Sequence, residues 1–277
     1  MINILLDFVK TAGNYLEQQQ NTIKPLLTKD SSVCSVVTQA DLYVSDLFEQ
    51  TIKTNFSDLN YIIIDEEKIS KYGDNIFDEI NKSEYQFVID PIDGTIQYAN
   101  GHHLFGITVG IYKNTKPLMG IIYMPKLNEL LYFDGHKAYR VENPFTKSEI
   151  KTELLPQTQS YSPIAFAHSW EYNIDNNISN NIFFDYFSTV SQCFYVLTNQ
   201  AKAICTKSYL WDVSGTIPIA NYLGLKIYEY GSKKICDSIS PEYFNTNMSI
   251  KNPCIMCYPN NYEEIAKLVT PKQTNAN

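Results

Sequence analysis

A chain of 277 residues with 44% apolar and 19% charged side chains has material for one large domain, or for two closely joined lobes with a real core. Its formal charge of −8 argues against a nucleic-acid or anionic-membrane surface, and no apolar run is long enough to span a bilayer. The 21 Tyr and 14 Phe read as core and subunit-interface material, because nothing arranges them as a base-stacking platform.

Leu5, Phe8, Val9, Ala12 and Leu16 fall on one face of an N-terminal helix. No basic segment precedes Leu5-Leu6 and Asp7 interrupts the apolar run, so this stretch does not read as a signal peptide. The six scattered cysteines then read as reduced thiols, and the expected location is cytoplasmic. Cys254 and Cys257 form a Cys-x-x-Cys, but no second pair or His cluster completes a zinc site; both are expected inside a buried strand. A polar loop from Thr28 to Ser35, with Lys29 and Asp30, precedes a second amphipathic helix that turns Val44, Leu47, Phe48 and Ile52 inward. Thr38 as N-cap and Asp41 three residues later imitate a capping box, which is the plain reading of Asp41 alone. Tyr61-Ile62-Ile63-Ile64 reads as a short buried strand ending in Asp65, Glu66 and Glu67, acids that crowd together only with water or a cation between them. Lys68 to Glu84, polar with a weak apolar pattern at Ile76, Phe77 and Ile80, reads as a covering loop with room for a helical turn.

Phe87-Val88-Ile89 marks the end of a core strand, and Pro91 is expected to stop its ladder at Asp90. Asp93-Gly94 turns the chain and Thr95 can begin a helix. Two carboxylates therefore stand at the carboxyl end of a core strand, the edge at which open α/β sheets bind ligands. A bare Asp-Gly is an ordinary turn; the whole hexad Asp90–Thr95 after an apolar strand is far more specific. From Leu104 to Val141 the pattern is a β-meander, and polar Phe145 to Ser162 reads as the link between an N-terminal lobe (about 1–145) and a C-terminal lobe (about 146–270). Beyond it lie a strand at Ile164–Ala167, an aromatic segment Ile182–Phe187, a helical stretch around Cys193–Asn199 and a strand at Ala201–Cys205. Val213, Ile217, Ala220 and Leu223 predict one helix ending at Gly224, with Asp212 at its N-terminus, where the dipole favours a carboxylate. Strand patterns at Leu225–Tyr230 and Ile255–Tyr258 and a helix at Tyr262–Val269 follow, and the last few residues read as disordered.

Glu66, Asp90, Asp93 and Asp212 thus end separate core elements. Oxygen donors without His or Cys point to Mg²⁺ or Mn²⁺ rather than zinc. His102 and His103 find no third ligand nearby and read as loop residues. A pair of such ions about 4 Å apart clamps a phosphate and acidifies a bound water. That would let an acidic chain accept an anion, with the N–H groups of Gly94 and Thr95 completing the cradle.

Asp90-Pro-Ile-Asp-Gly-Thr95 followed by Trp211-Asp212 resembles the two signatures of the inositol monophosphatase superfamily. Its members include phosphatases for inositol phosphates, 3′-phosphoadenosine nucleotides, fructose bisphosphate and histidinol phosphate. Val37-Thr38-x-Ala40-Asp41 is similar to the family's early Val-Thr-x-x-Asp, and Asp65-Glu66-Glu67 stands where it has Gly-Glu-Glu. The resemblance covers most of the chain. It implies an α/β (α+β) fold, a layered α-β-α-β-α sandwich of the inositol monophosphatase / fructose-1,6-bisphosphatase type, assembled as a homodimer. It also implies metal ligation by Glu66, Asp90, the Ile92 carbonyl, Asp93 and Asp212, with two or three Mg²⁺ per site and Mn²⁺ as an alternative. Asp41 would accept from the Thr95 hydroxyl, and this pair with Glu66 would orient and help deprotonate the attacking water; a Thr hydroxyl alone is a poor base. Gly94, Thr95, Asp93 and Asp212 would touch the substrate, and Lys29 matches a loop lysine near the metals in relatives. The implied function is a Mg²⁺-dependent phosphatase acting on a small phosphomonoester of inositol- or sugar-phosphate type, by in-line attack of metal-activated water.

The departures bear on substrate. Phe187-Ser188-Thr189-Val190 lacks the glycine of the Gly-Ser/Thr-x-Ala turn carried by members that take inositol phosphate. Cys205 or Thr206 replaces a Glu about seven residues before Asp212, and Leu-Lys-Ile after Gly224 replaces a glycine pair. Lys202 and Lys207, unless they are surface lysines, would favour a second phosphate, as in a 3′(2′),5′-bisphosphate nucleotidase. A reading from another class is a regulatory or binding protein that keeps the phosphatase fold.

Overall fold

The computed structural model describes residues 1–20, 22, 27–28, 36–168, 171–175 and 181–272; Lys29 and the C-terminal residues read as disordered lie outside them. Helix α1 (Ile2–Gln19) buries the predicted face, Leu5, Phe8, Val9, Ala12 and Leu16. A short antiparallel ribbon, β1 (Leu27–Thr28) with β2 (Val36–Val37), leads into helix α2 (Gln39–Asn55). Its start is the predicted capping box: Thr38 Oγ1 accepts from Ala40 N at 3.1 Å, and Asp41 Oδ2 accepts from Thr38 N at 2.7 Å. Strand β3 (Tyr61–Asp65) runs into a 3-10 turn, Glu66–Lys71, and Ile76–Lys82 forms helix α3. The segment expected as a loop is therefore mostly helical. Ile76 and Ile80, one turn apart, are both buried and pin it to the core.

Strand β4 (Tyr85–Asp93) lies parallel to β3, and helix α4 (Thr95–Ala99) follows it. Strands β5 (Gly106–Lys113), β6 (Lys116–Met124), β7 (Glu129–Phe133), β8 (Ala138–Glu142) and β9 (Ile150–Leu154) extend the sheet antiparallel, in the order β3-β4-β5-β6-β7-β8-β9. Strand β9 falls inside the stretch expected to be a polar link and carries the first sheet past residue 145. As an edge strand it buries no residue fully, so no apolar alternation marks it.

The second half begins with β10 (Ile164–Ala167), β11 (Tyr172–Ile174), β12 (Ile182–Phe184), α5 (Thr189–Leu197) and β13 (Ala203–Thr206). Helices α6 (Leu210–Ser214) and α7 (Thr216–Leu223), strands β14 (Lys226–Glu229) and β15 (Cys254–Cys257), helix α8 (Tyr262–Leu268) and strand β16 (Val269–Pro271) complete it. The second sheet has the order β12-β10-β13-β15-β14, while β11 and β16 form a separate ribbon. Where one helix was expected there are two. Pro218 has no N–H to give the Ser214 carbonyl, which instead accepts from Tyr112 Oη at 3.0 Å, and Gly215 N donates to Thr108 Oγ1 at 3.1 Å.

Strand residues alternate between layers. Ile63, Phe87, Ile89 and Val109 pack under α1 and α2, whereas Ile62, Ile64 and Val88 face α5, α6 and α7. Across that middle layer, Phe166, Ile204, Ile227 and Met256 of the second sheet close the same core. Its outer face, with Ala165, Ala167, Ala203, Cys205, Ile255 and Cys257, is covered by α8. The result is the five-layer α-β-α-β-α sandwich. Among the described residues, no helix is long and apolar enough to cross a membrane.

Candidate active site

Strand β4 does not stop at Pro91. Asp90 pairs with Thr108 and Asp93 with Gly106, and a register shift between them absorbs Pro91, which has no N–H for the ladder. Ile92 N, freed by the same bulge, donates to Asp90 Oδ1 at 3.0 Å. Gly94 then takes φ +83°, and a Cβ there would lie 2.9 Å from Ser188 Cβ and 3.1 Å from the Leu104 carbonyl. Only glycine meets both demands. Thr95 follows at once, its Oγ1 lying 2.9 Å from the Ile92 carbonyl and 3.2 Å from Asp41 Oδ1. With one proton, the hydroxyl donates to one of these acceptors at a time.

Asp212 is the third residue of α6 rather than its cap, and its Oδ2 accepts from Tyr209 N at 2.8 Å. Ligand atoms of Asp90, Asp93 and Asp212 all lie within 4.8 Å of one another. Among the described residues, no Lys or Arg forms an ion pair with any of the three. Burial, followed by the charges of Glu66 and Asp93, pushes the Asp90 carboxyl well above the ordinary range. Burial, with Asp93 and Glu66 next, does the same to Asp212. Asp93 is pushed up to about 7, again mainly by burial, against a hydrogen bond from Ser188 Oγ at 2.6 Å and one from Val190 N. Glu66, at the start of the 3-10 turn after β3, lies outside this group of three, yet its charge acts on each member.

Buried carboxylates are retained when a cation pairs with them. An all-oxygen donor set at this spacing suits a hard divalent ion such as Mg²⁺ or Mn²⁺.

Ser188 escaped the sequence reading, which looked at its segment only for a missing glycine. It caps α5, with its Oγ accepting from Ser191 N, and the same hydroxyl anchors Asp93. A Ser ahead of an apolar helical run is the signal that marked it. The reading of Lys202 as either a surface or a second-phosphate lysine is corrected. Its side chain is buried, 2.9 Å from Asn181 Oδ1 and 2.8 Å from Oε1 of the exposed Glu264, so its charge is committed to an ion pair at the margin of the core. Cys205 packs under α8, whereas Thr206, next along β13, falls on the opposite face. His102 and His103 are exposed, and Cys254 and Cys257 are buried in β15.

The model of the inositol monophosphatase family matches residues 1–272. The fructose-1,6-bisphosphatase/inositol-1-monophosphatase of Aquifex aeolicus is 29% identical over 118 residues, 43% of each chain. The protein of the same description from Thermotoga maritima is 32% identical over 123 residues, 42% of this chain and 43% of that one. The matched segment spans less than half the length of either relative. A solved IMPase/NADP phosphatase complexed with Mg²⁺ and phosphate superposes with a TM-score of 0.75 at 20% identity, covering 99% of this chain and 95% of that one. At that identity the likeness speaks for the fold.

Proposed function

Because the chain belongs to the inositol monophosphatase family, we propose that it is a Mg²⁺-dependent phosphatase of small phosphomonoesters, of inositol- or sugar-phosphate type. The observation that carries this reading is the convergence of Asp90 and Asp93 from β4 with Asp212 from α6, within 4.8 Å and without a paired cation among the described residues. These three, with Glu66 and the Ile92 carbonyl, would hold two or three Mg²⁺, with Mn²⁺ as a substitute. When bound, such ions neutralise phosphate charge and acidify a coordinated water.

The chain's own residues do the rest. Thr95 Oγ1 receives a hydrogen bond from the attacking water and hands its own proton towards Asp41 Oδ1, 3.2 Å away. Asp41 is fixed for this by its capping bonds, since Oδ2 accepts from Thr38 N at 2.7 Å and Thr38 Oγ1 at 2.6 Å. Glu66 helps to orient the same water. The N–H groups of Gly94 and Thr95 receive phosphate oxygens, which the left-handed turn at Gly94 permits. Asp93 and Asp212 line the substrate's side of the cluster.

The same reading includes an N-terminal lobe of about residues 1–145 and a C-terminal lobe of about 146–270, and a homodimer in the cytoplasm. Exposed Ile150, Leu155, Tyr161, Ile182, Phe184 and Phe187 offer apolar surface for a subunit contact. Release of phosphate from small esters with Mg²⁺, compared between the wild type and Asp93→Asn, tests the assignment. Equal rates in the two proteins remove it, and calorimetry that detects no Mg²⁺ binding with phosphate present would favour a regulatory protein on the same fold.

A further inference from the structure

Strand β3 ends in an acid on the face where its neighbours are apolar. By alternation Asp65 falls on the side of Ile63, which packs under α1 and α2. A carboxylate in such a layer is costly to bury unless its oxygens are bonded, and here both are. Asp65 Oδ2 accepts from Ser45 Oγ of α2 at 2.6 Å, and Oδ1 accepts from Glu67 N at 2.9 Å, which caps the 3-10 turn. Asp65 and Ser45 are each 0% exposed. A Ser inside a helix can return its hydroxyl to the carbonyl one turn back, whereas this one reaches across to the sheet. A glycine, as in the family's Gly-Glu-Glu, could make neither side-chain bond.

What this bond joins is the two elements that carry the proposed water-activating acids. Ser45 lies one helical turn after Asp41 on the buried face of α2, and Asp65 directly precedes Glu66. In the parallel pair β3–β4, Asp65 stands beside Ile89, so the next residue of each strand is an acid, Glu66 and Asp90. The far end of the same turn is also fastened to α2, with Lys68 Nζ 2.6 Å from Asp46 Oδ1 and 2.6 Å from Glu49 Oε2. Asp46 is exposed, however, and ion pairs in water hold weakly. The direction in which Glu66 leaves the sheet is therefore set mainly at the buried end of the turn.

We propose that Asp65 and Ser45 are positioning residues: their buried bond locks the turn that carries Glu66 against the helix that carries Asp41, and so sets the metal affinity of the site and the placement of the attacking water. This rests on the reading of Glu66 as a metal ligand given above. Two plainer roles fall short of what is seen. A cap for the 3-10 turn needs only the bond from Glu67 N, and the second bond, to a buried residue of another element, is more than a cap requires. Filling the layer under α2 needs no charge, and Ile63, two residues earlier on the same face, does it with an apolar side chain. Asp65 and Ser45 act through Glu66 and Asp41, as the partners behind metal ligands do, and loss of such partners typically costs about 10–100-fold in metal affinity or activity.

The test is calorimetric titration with Mg²⁺, inorganic phosphate present, of the wild type, Asp65→Gly, Ser45→Ala and Asp65→Asn, at a temperature where thermal scans show each to be folded. Asp65→Gly removes both bonds and the charge, whereas Ser45→Ala removes one bond and keeps the charge. Both are expected to weaken Mg²⁺ binding by at least about tenfold. Asp65→Asn retains an acceptor for Glu67 N and turns a donor towards Ser45 Oγ, so its affinity is expected within about threefold of the wild type. With 4-nitrophenyl phosphate at saturating Mg²⁺, Ser45→Ala is expected to lower kcat about tenfold and to leave KM within about twofold. Ile265→Ala, which opens a cavity under α8 on the outer face of the second sheet, controls for lost stability: its Tm falls and its Mg²⁺ affinity stays that of the wild type. Should Asp65→Gly not fold, Ser45→Ala decides alone. A lower Tm with Mg²⁺ affinity and kcat unchanged gives the pair a structural role only and overturns the proposal. So does an Asp65→Asn as weak as Ser45→Ala, or an equal loss of affinity in Ile265→Ala. These results leave the phosphatase reading standing; a wild type that binds no Mg²⁺ with phosphate present sinks both.

Discussion

Thr95 owes its proposed role to two distances, 2.9 Å to the Ile92 carbonyl and 3.2 Å to Asp41 Oδ1. Thr95→Ala removes the hydroxyl but keeps the turn, so kcat is expected to fall about 10²–10⁴-fold while Mg²⁺ affinity by calorimetry stays near that of the wild type. Thr95→Ser should recover most of the loss, and an effect confined to KM would count against the assignment. His168 gives a pH signature. Burial lowers its pKa, but the Asp185 hydrogen bond and charge outweigh burial and leave it above the ordinary 6.5. A group whose folded pKa is raised contributes fully below its unfolded pKa and loses that contribution as pH climbs through the folded value. His168→Gln is therefore expected to lower Tm more at about pH 6 than at about pH 9; equal losses would mean a neutral ring throughout. Asp41, Asp90, Asp93 and Thr95 were legible because each sits in a short word whose spacing dictates strand, turn and cap. The bonds from Ser188 to Asp93 and from Lys202 to Glu264 join residues 95 and 62 positions apart, and no local pattern announces such pairs.

At the scale of elements, the position of Asp212 depends on how closely α6 approaches β5. A Cβ at Gly110 would lie 2.4 Å from the Ser214 carbonyl oxygen, backbone that cannot swing aside as a side-chain tip could. Gly110→Ala is expected to destabilise the fold by about 1–3 kcal/mol in chemical denaturation and to weaken Mg²⁺ binding, since α6 must shift with Asp212 on it. A loss of stability with unchanged Mg²⁺ affinity would show that the helix moves without its carboxylate. The break between α6 and α7 was hidden in the sequence. The apolar spacing of Val213, Ile217, Ala220 and Leu223 runs straight across it. What divides the helices is Pro218, together with the Thr108 hydroxyl waiting for Gly215 N in another strand. Strand β4 misled in the opposite direction: Pro91 suggested an end, but a bulge lets the ladder resume at Asp93 and sets both carboxylates on the same stretch.

On the scale of the whole molecule, the strands were legible as apolar runs because both faces of the first sheet are covered; Ile62, Ile63 and Ile64 are all buried. That same coverage removes the polar alternation that would have told one layer from the next, and the layer order came from the family resemblance. The layering decides how a cation should act on stability. Asp90 and Asp93 end a strand of the first sheet, while Asp212 rides on the middle helical layer, so a cation held by all three would tie the two layers together and relieve repulsion among buried carboxylates. A ligand that binds only the folded state at about 100 times its Kd contributes about 2.7 kcal/mol. For a chain of this size that raises Tm by on the order of 5 °C. Protein stripped with EDTA is expected to gain such a shift on addition of Mg²⁺ in a thermal unfolding scan. Asp212→Asn should behave in two opposite ways: a higher Tm than wild type when metal-free, because one buried charge is gone, and little or no gain with Mg²⁺, because a ligand is gone. A metal-free Asp212→Asn no more stable than wild type, with its Mg²⁺ shift intact, would mean that α6 does not share the ion with β4.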